Sequence, residues 1–304
     1  MCIRLKFANV VLLLTTIISS YSLGDSPPEA SLHLKAWGNL GNSLVQLRSI
    51  LYIALFYNYT EITFPQHEFL PTRIAIHHKI TRPAPAKNIT ISRKDAFKID
   101  RSVWKHCMVH VHDKEVQKLM LNNFNIHFEK YTPLLDGVLV IHVRSGDIFR
   151  VKIPHEEYAQ PPLSFYVNAI SRFSPSKIII VAEDILNPCV TALLELFKGR
   201  AFFEKQSLVE DVTTILRARH IIYGVGTFVP NLLKLTNHTE TILVGNSKSL
   251  PDYFSEMGKW KNTASQRELM LSYNLTTSLA FLNATKLPSI EEVTKRALTS
   301  PKYR

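Results

Sequence analysis

The sequence predicts an α/β protein assembled from strand–helix units of the doubly wound kind. Three observations carry this expectation. The runs Val138–Ile141 and Lys177–Ala182 are almost continuously apolar, as strands are when a parallel sheet buries both of their faces. Segments of helical spacing separate these runs from each other and from the short apolar segments that follow. Toward the other end, residues 31–56 read as strand, glycine loop and helix in succession.

The elements follow in order. Arg4 and Lys6 open a targeting segment, Phe7–Ile18 is its apolar core, and Ser22, Leu23 and Gly24 precede Asp25. A spanning helix needs roughly 20 apolar residues. Asn9, Thr15, Thr16, Ser19 and Ser20 dilute the run here, so residues 1–24 are expected to be a signal peptide, with a short uncleaved type II anchor as the alternative. Ser31–Ala36 alternates like a strand, Trp37–Asn42 interrupts, and Ser43–Phe56 carries Leu44, Leu47, Ile50, Leu51, Ala54 and Leu55 at helical spacing. Asn42 or Ser43 is the expected N-cap of this helix. Residues 61–112 are less regular: Glu61–Phe64 suits a strand and Pro83–Pro85 a loop, before a helix over Asp113–Phe124.

After Val138–Ile141 and the Pro161–Pro162 loop comes a helix over Leu163–Phe173, then the second apolar strand and a helix over Pro188–Phe197. Ala201–Phe203 is a third strand of this half, followed by helix Leu208–Arg219, strand Ile221–Ile222, helix Phe228–Leu235 and strand Thr241–Val244. The expected divisions are an α/β domain over 25–130, a second over 131–245 and an extension over 246–304.

A hydrophobic content of 46% suffices for a packed core, and the formal charge of +11 favours anionic partners. No block of five consecutive basic residues occurs, so the charge is dispersed. The sequons at Asn58, Asn88, Asn237, Asn274 and Asn283 agree with the leader in expecting a lumenal chain, in the Golgi or endoplasmic reticulum or secreted, which argues against nucleic acid as a partner. A membrane is expected as a partner only if the leader stays uncleaved. Of the three cysteines, Cys2 lies in the leader, and Cys107 and Cys189 allow one disulfide that spacing alone does not decide. No D-x-D follows the leader, and neither His106, His110, His112 and Asp113 nor His77 and His78 match a zinc spacing, so no metal site is expected.

Three motifs bear on chemistry. Ile141-His142-Val143-Arg144-Ser145-Gly146-Asp147 ends a buried strand, where ligands bind in open α/β sheets. Its Arg144 presents a planar, permanently charged fork suited to a diphosphate, with His142 beside it. Gly38 and Gly41 with Asn42 precede a helix whose N–H groups favour anions, although without the spacing of a Walker or dinucleotide loop. Asp211 on a helix is followed by Gly224-Val225-Gly226-Thr227-Phe228, a small-residue turn that opens the next helix. Taken singly, each also suits a packing turn or a surface ion pair.

In combination and order, Gly38-x-x-Gly41-Asn42, His142-x-Arg144-x-Gly146-Asp147, and Asp211 with Gly226-Thr227-Phe228 resemble the fucosyltransferase superfamily of α1,2-, α1,6- and protein O-fucosyltransferases over roughly residues 31–245. The resemblance implies a GT-B-like fold of two Rossmann-like domains, the first on the acceptor side and the second binding a GDP-sugar in the cleft. It implies inverting, metal-independent transfer without a cofactor, the partners being the nucleotide sugar and a glycan or glycoprotein acceptor. Arg144, His142 and Asn42 would be catalytic. Gly41, Asn42, His142, Arg144, Gly146, Asp211, Gly226, Thr227 and Phe228 would line the donor, with Asp211 on the guanine edge. Two departures stand out: Ser145 replaces the family's frequent second arginine, and Ser43 a glutamine. Glu156, Glu157, Glu183 and Asp184 are the candidate general bases. A transferase of another nucleotide sugar, and a secreted carbohydrate-binding protein on a degenerate transferase fold, are the alternatives.

Overall fold

The computed structural model describes residues 31–34, 39–76, 89–91, 111–125, 132–275 and 282–283. The leader, Gly38, Asn88 and the His77–His78 and His106–His110 segments lie outside them. The chain divides into two units, up to Ile126 and from His127 onward. Both are α/β.

In the first unit, β1 (Ser31–Leu34) leads through α1 (Leu40–Phe56) to β2 (Glu61–Thr63), followed by β3 (Arg73–Ala75), β4 (Ile89–Ile91) and α2 (Asp113–Asn122). The sheet order is β3-β2-β1-β4. β1 pairs in parallel with β2, Leu32 opposite Ile62, and with β4, Leu32 opposite Ile89, while β3 closes the edge antiparallel. Parallel neighbours need a crossover, and α1 supplies it, with α2 packed on it. Leu32, Leu34, Leu44, Leu47, Ile50 and Leu51 are buried between sheet and helix. The helix begins earlier than its apolar spacing suggests. Its N-cap is Asn39, Gly41 and Asn42 lie in the first turn, and Ser43 Oγ donates back to Asn39 O at 3.2 Å. Gly41 and the half-buried Asn42 are therefore helical rather than loop residues.

In the second unit, β5 (Val138–His142), β6 (Lys177–Val181), β7 (Ala201–Phe202), β8 (His220–Tyr223) and β9 (Thr241–Val244) are all parallel, and β10 (Leu282–Asn283) is antiparallel to β9. The helices between them are α3 (Asp147–Arg150), α4 (Leu163–Phe173), α5 (Pro188–Leu196), α6 (Leu208–Arg217) and α7 (Phe228–Leu232). The order β10-β9-β8-β5-β6-β7 means the chain builds outward from β5 to β7, then returns to β5's other side with β8. The order thus reverses between β5 and β8, and the crevice beyond their carboxyl ends is where such sheets bind ligands.

Both faces of this sheet are covered. Leu139, Ile141, Ile178, Ile180, Ile222 and Leu243 join Phe165, Ala169, Val190 and Leu193 in one core. Val140, Ile221 and Ile242, which alternate onto the opposite face, are equally buried. This is why the strands read as unbroken apolar runs. Cys189 is a free thiol inside the core, burial pushing its pKa up to about 12, and Cys107 lies outside the described residues.

Residues 246–275, set apart in the sequence as an extension, belong to this unit. They form α8 (Pro251–Met257) and α9 (Ala264–Ser272), and Leu250, Tyr253, Met257, Trp260 and Met270 enter the core. Tyr253 OH donates to Gln160 O at 2.7 Å, and Trp260 Nε1 to Ile148 O at 3.1 Å. Among the described residues, no helix is long and apolar enough to cross a membrane.

Candidate functional site

The site is built where β5 and β8 end side by side, His142 opposite Tyr223. The two following loops carry its side chains. His142 lies 5.5 Å from Phe228, centroid to centroid, so a residue from each strand end meets across the switch point. Burial and, next, the Arg144 charge push the His142 pKa down to about 3. At neutral pH this imidazole is uncharged, with one donor and one acceptor nitrogen.

Arg144 follows two residues later, its side chain 25% exposed and paired with Asp147 Oδ1. That carboxylate oxygen also accepts the Ile148 N–H at 2.9 Å. The guanidinium is thus half-shielded, held by an exposed acid and able to exchange it for another anion. Gly146 turns the chain into α3 with φ +68° and ψ −120°, a conformation reserved for glycine. A Cβ there would also stand 1.9 Å from Glu183 Oε2, so the turn passes directly under that carboxylate.

Ser145, the residue where the family pattern has arginine, is buried at 1% exposure. Its hydroxyl donates to Asp184 Oδ1, and the same oxygen takes the Gly146 and Leu186 N–H groups at 3.2 and 3.1 Å. Burial pushes the Asp184 carboxyl up. The bonds from Ser145, Leu186 and Gly146 and the charge of Arg150 outweigh it and hold the group below its ordinary range. Of the expected bases, Asp184 is therefore consumed in fixing the loop. Glu156 is exposed and ion-paired with Lys259 at 2.7 Å, and Glu157 is exposed. Glu183 is the one whose carboxylate lies over the motif's own turn.

The turn after β8 has two parts. At Gly224 a Cβ would lie 2.6 Å from Pro161, so this glycine serves packing. Gly226, with φ +143° and nothing within 4 Å of a would-be Cβ, is open. Thr227 N-caps α7 and its carbonyl accepts from Asn231 Nδ2 at 2.6 Å.

Asp211 occupies the first turn of α6, at the same carboxyl edge of the sheet, and α6 packs against α7. A simple capping role for it does not hold. Ser207 Oγ accepts the Glu210 N–H at 3.3 Å, and Glu210 Oε2 accepts the Ser207 N–H at 2.8 Å, completing a capping box without Asp211. No described donor reaches the Asp211 carboxylate. Burial, with Glu210 adding, pushes its pKa up to about 7.

The sheet therefore brings together His142, Arg144, Gly146, Gly226, Thr227 and Phe228, with Asp211 on the same edge. Gly41 and Asn42 belong to the first unit. Sequence reading missed Asn187, whose Asn-Pro start of α5 shows only its capping role. For modification, Asn237 and Asn274 are exposed, whereas Asn58 is 6% exposed with φ +55° at the end of α1 and does not present its amide to solvent. One group of metal-ligating side chains exists among the described residues, Asp136 ahead of β5, His220 at the start of β8 and Glu240 ahead of β9, at the opposite edge of the sheet. Arg219 already neutralises both of its carboxylates.

These features define a doubly wound α/β protein with a cation, a neutral imidazole and an aromatic ring at its switch point. Solved structures similar to the chain include POFUT1 in complex with GDP, at 12% identity and a TM-score of 0.39, covering 71% of this chain and 96% of that one. Another is a mutant of Arabidopsis thaliana FUT1 in complex with GDP, at 9% identity and a TM-score of 0.44, covering 77% and 74%. POFUT1 in complex with GDP-fucose is similar at 9% identity and a TM-score of 0.39, covering 71% and 96%. No protein-family model and no curated protein matches the sequence.

Proposed function

We propose that the chain is a glycosyltransferase that moves a sugar, fucose, from a GDP-sugar to a glycan or glycoprotein acceptor in the lumen of the secretory pathway. The observation that carries this is Arg144 at the β5–β8 switch point, half-shielded and held, among the described residues, by the exchangeable Asp147. A diphosphate is the anion its fork fits. Phe228 offers a face to the nucleoside, and Asp211, which no donor among the described residues reaches, accepts the two parallel donors of guanine, N1–H and the exocyclic amine.

In the reaction an acceptor hydroxyl oxygen attacks the anomeric carbon as the bond to the β-phosphate oxygen breaks, inverting the centre. The hydroxyl proton goes to a base, for which Glu183 is the residue to substitute first. Negative charge grows on the departing phosphate, and Arg144 is placed to stabilise it without a metal. Neutral His142 donates a hydrogen bond there and adds no charge.

Calorimetry with GDP in the presence of a chelator, alongside GDP release from GDP-fucose, tests this. We expect binding without metal and turnover in the wild type, with turnover lost and GDP binding weakened but still measurable in Arg144→Ala and Arg144→Lys, since an ammonium cannot reproduce the bidentate contact. Binding that requires Mn²⁺, or wild-type turnover by the lysine variant, would refute the assignment. GDP binding without turnover of any GDP-sugar would instead favour the carbohydrate-binding alternative.

A further inference from the structure

The loop that carries Arg144 is not free-standing. Three consecutive residues are gripped by the segment that follows β6. Arg144 O accepts from Asn187 Nδ2 at 2.9 Å, Ser145 Oγ accepts from Asn187 N–H at 3.0 Å, and Gly146 N–H donates to Asp184 Oδ1 at 3.2 Å. Asn187 is fully buried, and its remaining oxygen accepts the Cys189 N–H at 3.0 Å, capping α5. One side chain therefore fixes the start of a core helix and, with its other end, the carbonyl of the residue bearing the guanidinium.

We infer that Asn187 is the positioning residue for Arg144, tying the anion-binding loop to the rigid body of the sheet; this rests on the donor-site assignment made above. The chemistry explains why an amide is needed. Asn holds its donor and its acceptor on two separate atoms of one short planar group, so it serves the Arg144 carbonyl and the Cys189 N–H in two different places at once. Aspartate caps helices well but offers no donor to the Arg144 carbonyl, and a serine hydroxyl caps with one oxygen a bond nearer the backbone, short of the position from which the amide nitrogen reaches that carbonyl. The backbone at residue 144 then loses its tether while α5 keeps its cap. A loop released by about 1 Å at such a site costs on the order of a hundredfold in rate, and its looser cation binds anions less well.

The test is a double-mutant cycle read by GDP affinity, with unfolding midpoints measured in parallel. Asn187→Ser is expected to weaken GDP at least tenfold with little change in midpoint, and to add nothing in the Arg144→Ala background, because it acts through that arginine. Asn187→Asp, which keeps the cap but faces the Arg144 carbonyl with an oxygen, is carried through the same cycle so that one folded variant completes it. Wild-type affinity in both variants, or an equal loss with and without Arg144, would overturn the inference and leave the donor site standing. A wild type that does not bind GDP would overturn the donor site and the inference together, and would be recognised because the failure is in the parent protein.

Discussion

Asp211 shows how much one residue's surroundings can say. A carboxylate that is mostly buried, has no donor among the described residues and lies beside Glu210 keeps its proton up to about pH 7. Its folded pKa stands above the roughly 3.9 of the unfolded chain, so the native state holds the extra proton and this group's contribution to stability declines as pH rises from about 4 to 7. Ligand binding has the opposite sign. Guanine's two donors pair with the ionised form, so GDP affinity should rise with pH, by up to about tenfold per unit below pH 7, and level off above it. The terminal phosphate of GDP also gains charge, near pH 6 by analogy with a phosphoryl group. The measurement is therefore the difference between wild type and Asp211→Asn across pH 5.5–8.5. We expect the variant to bind GDP more weakly and with a flatter profile, and parallel profiles would show that Asp211 reads no base. His142 does not confuse the window, since its pKa lies near 3.

At the level of the element, the shape of the strand-end loop that carries Arg144 is set by one glycine. Gly146 combines φ +68° with a Cβ direction pointing into the Glu183 carboxylate. Gly146→Ala should cost about 1–3 kcal/mol from backbone strain alone. The Glu183 side chain can swing aside, so the collision adds little. Urea denaturation should show that loss with an unchanged slope, together with weakened GDP binding from the displaced Arg144. A variant as stable as the wild type would mean that the turn relaxes into another conformation. Most of this element was legible in the sequence, because an apolar run followed by His-x-Arg-x-Gly-Asp marks a strand end that turns sharply. The grip of Asp184 and Asn187 was not legible, since the partners lie 38 to 43 residues away and meet only because β5 and β6 are parallel neighbours.

Across the second unit as a whole, the segment after β9 is structural. Leu250, Tyr253, Met257, Trp260 and Met270 are buried in the core, and fully burying such side chains is worth about 1.5–3 kcal/mol each. Five of them amount to about 8–15 kcal/mol, comparable with the entire stability of a typical domain. A chain ending at Gly245 should therefore lack a cooperative thermal transition and near-ultraviolet dichroism. Trp260→Ala, at about 3–5 kcal/mol, should leave a folded but weakened protein. A cooperative transition in the truncated chain would show that the segment is an accessory after all.

The sequence by itself determined the strand and helix order of the second unit, down to Leu163–Phe173 and Thr241–Val244, because strands buried on both faces and helices of regular spacing leave periodic signals that are local. It also marked His142, Arg144 and Gly146 as the end of a buried strand that turns sharply. Only the tertiary structure decided that α1 starts at Leu40, that the segment after β9 completes the core, that Ser145 turns inward and that no donor among the described residues reaches Asp211. Each of these depends on which distant groups share a space, and burial and hydrogen bonding across the sheet are properties of the folded arrangement that no local pattern records.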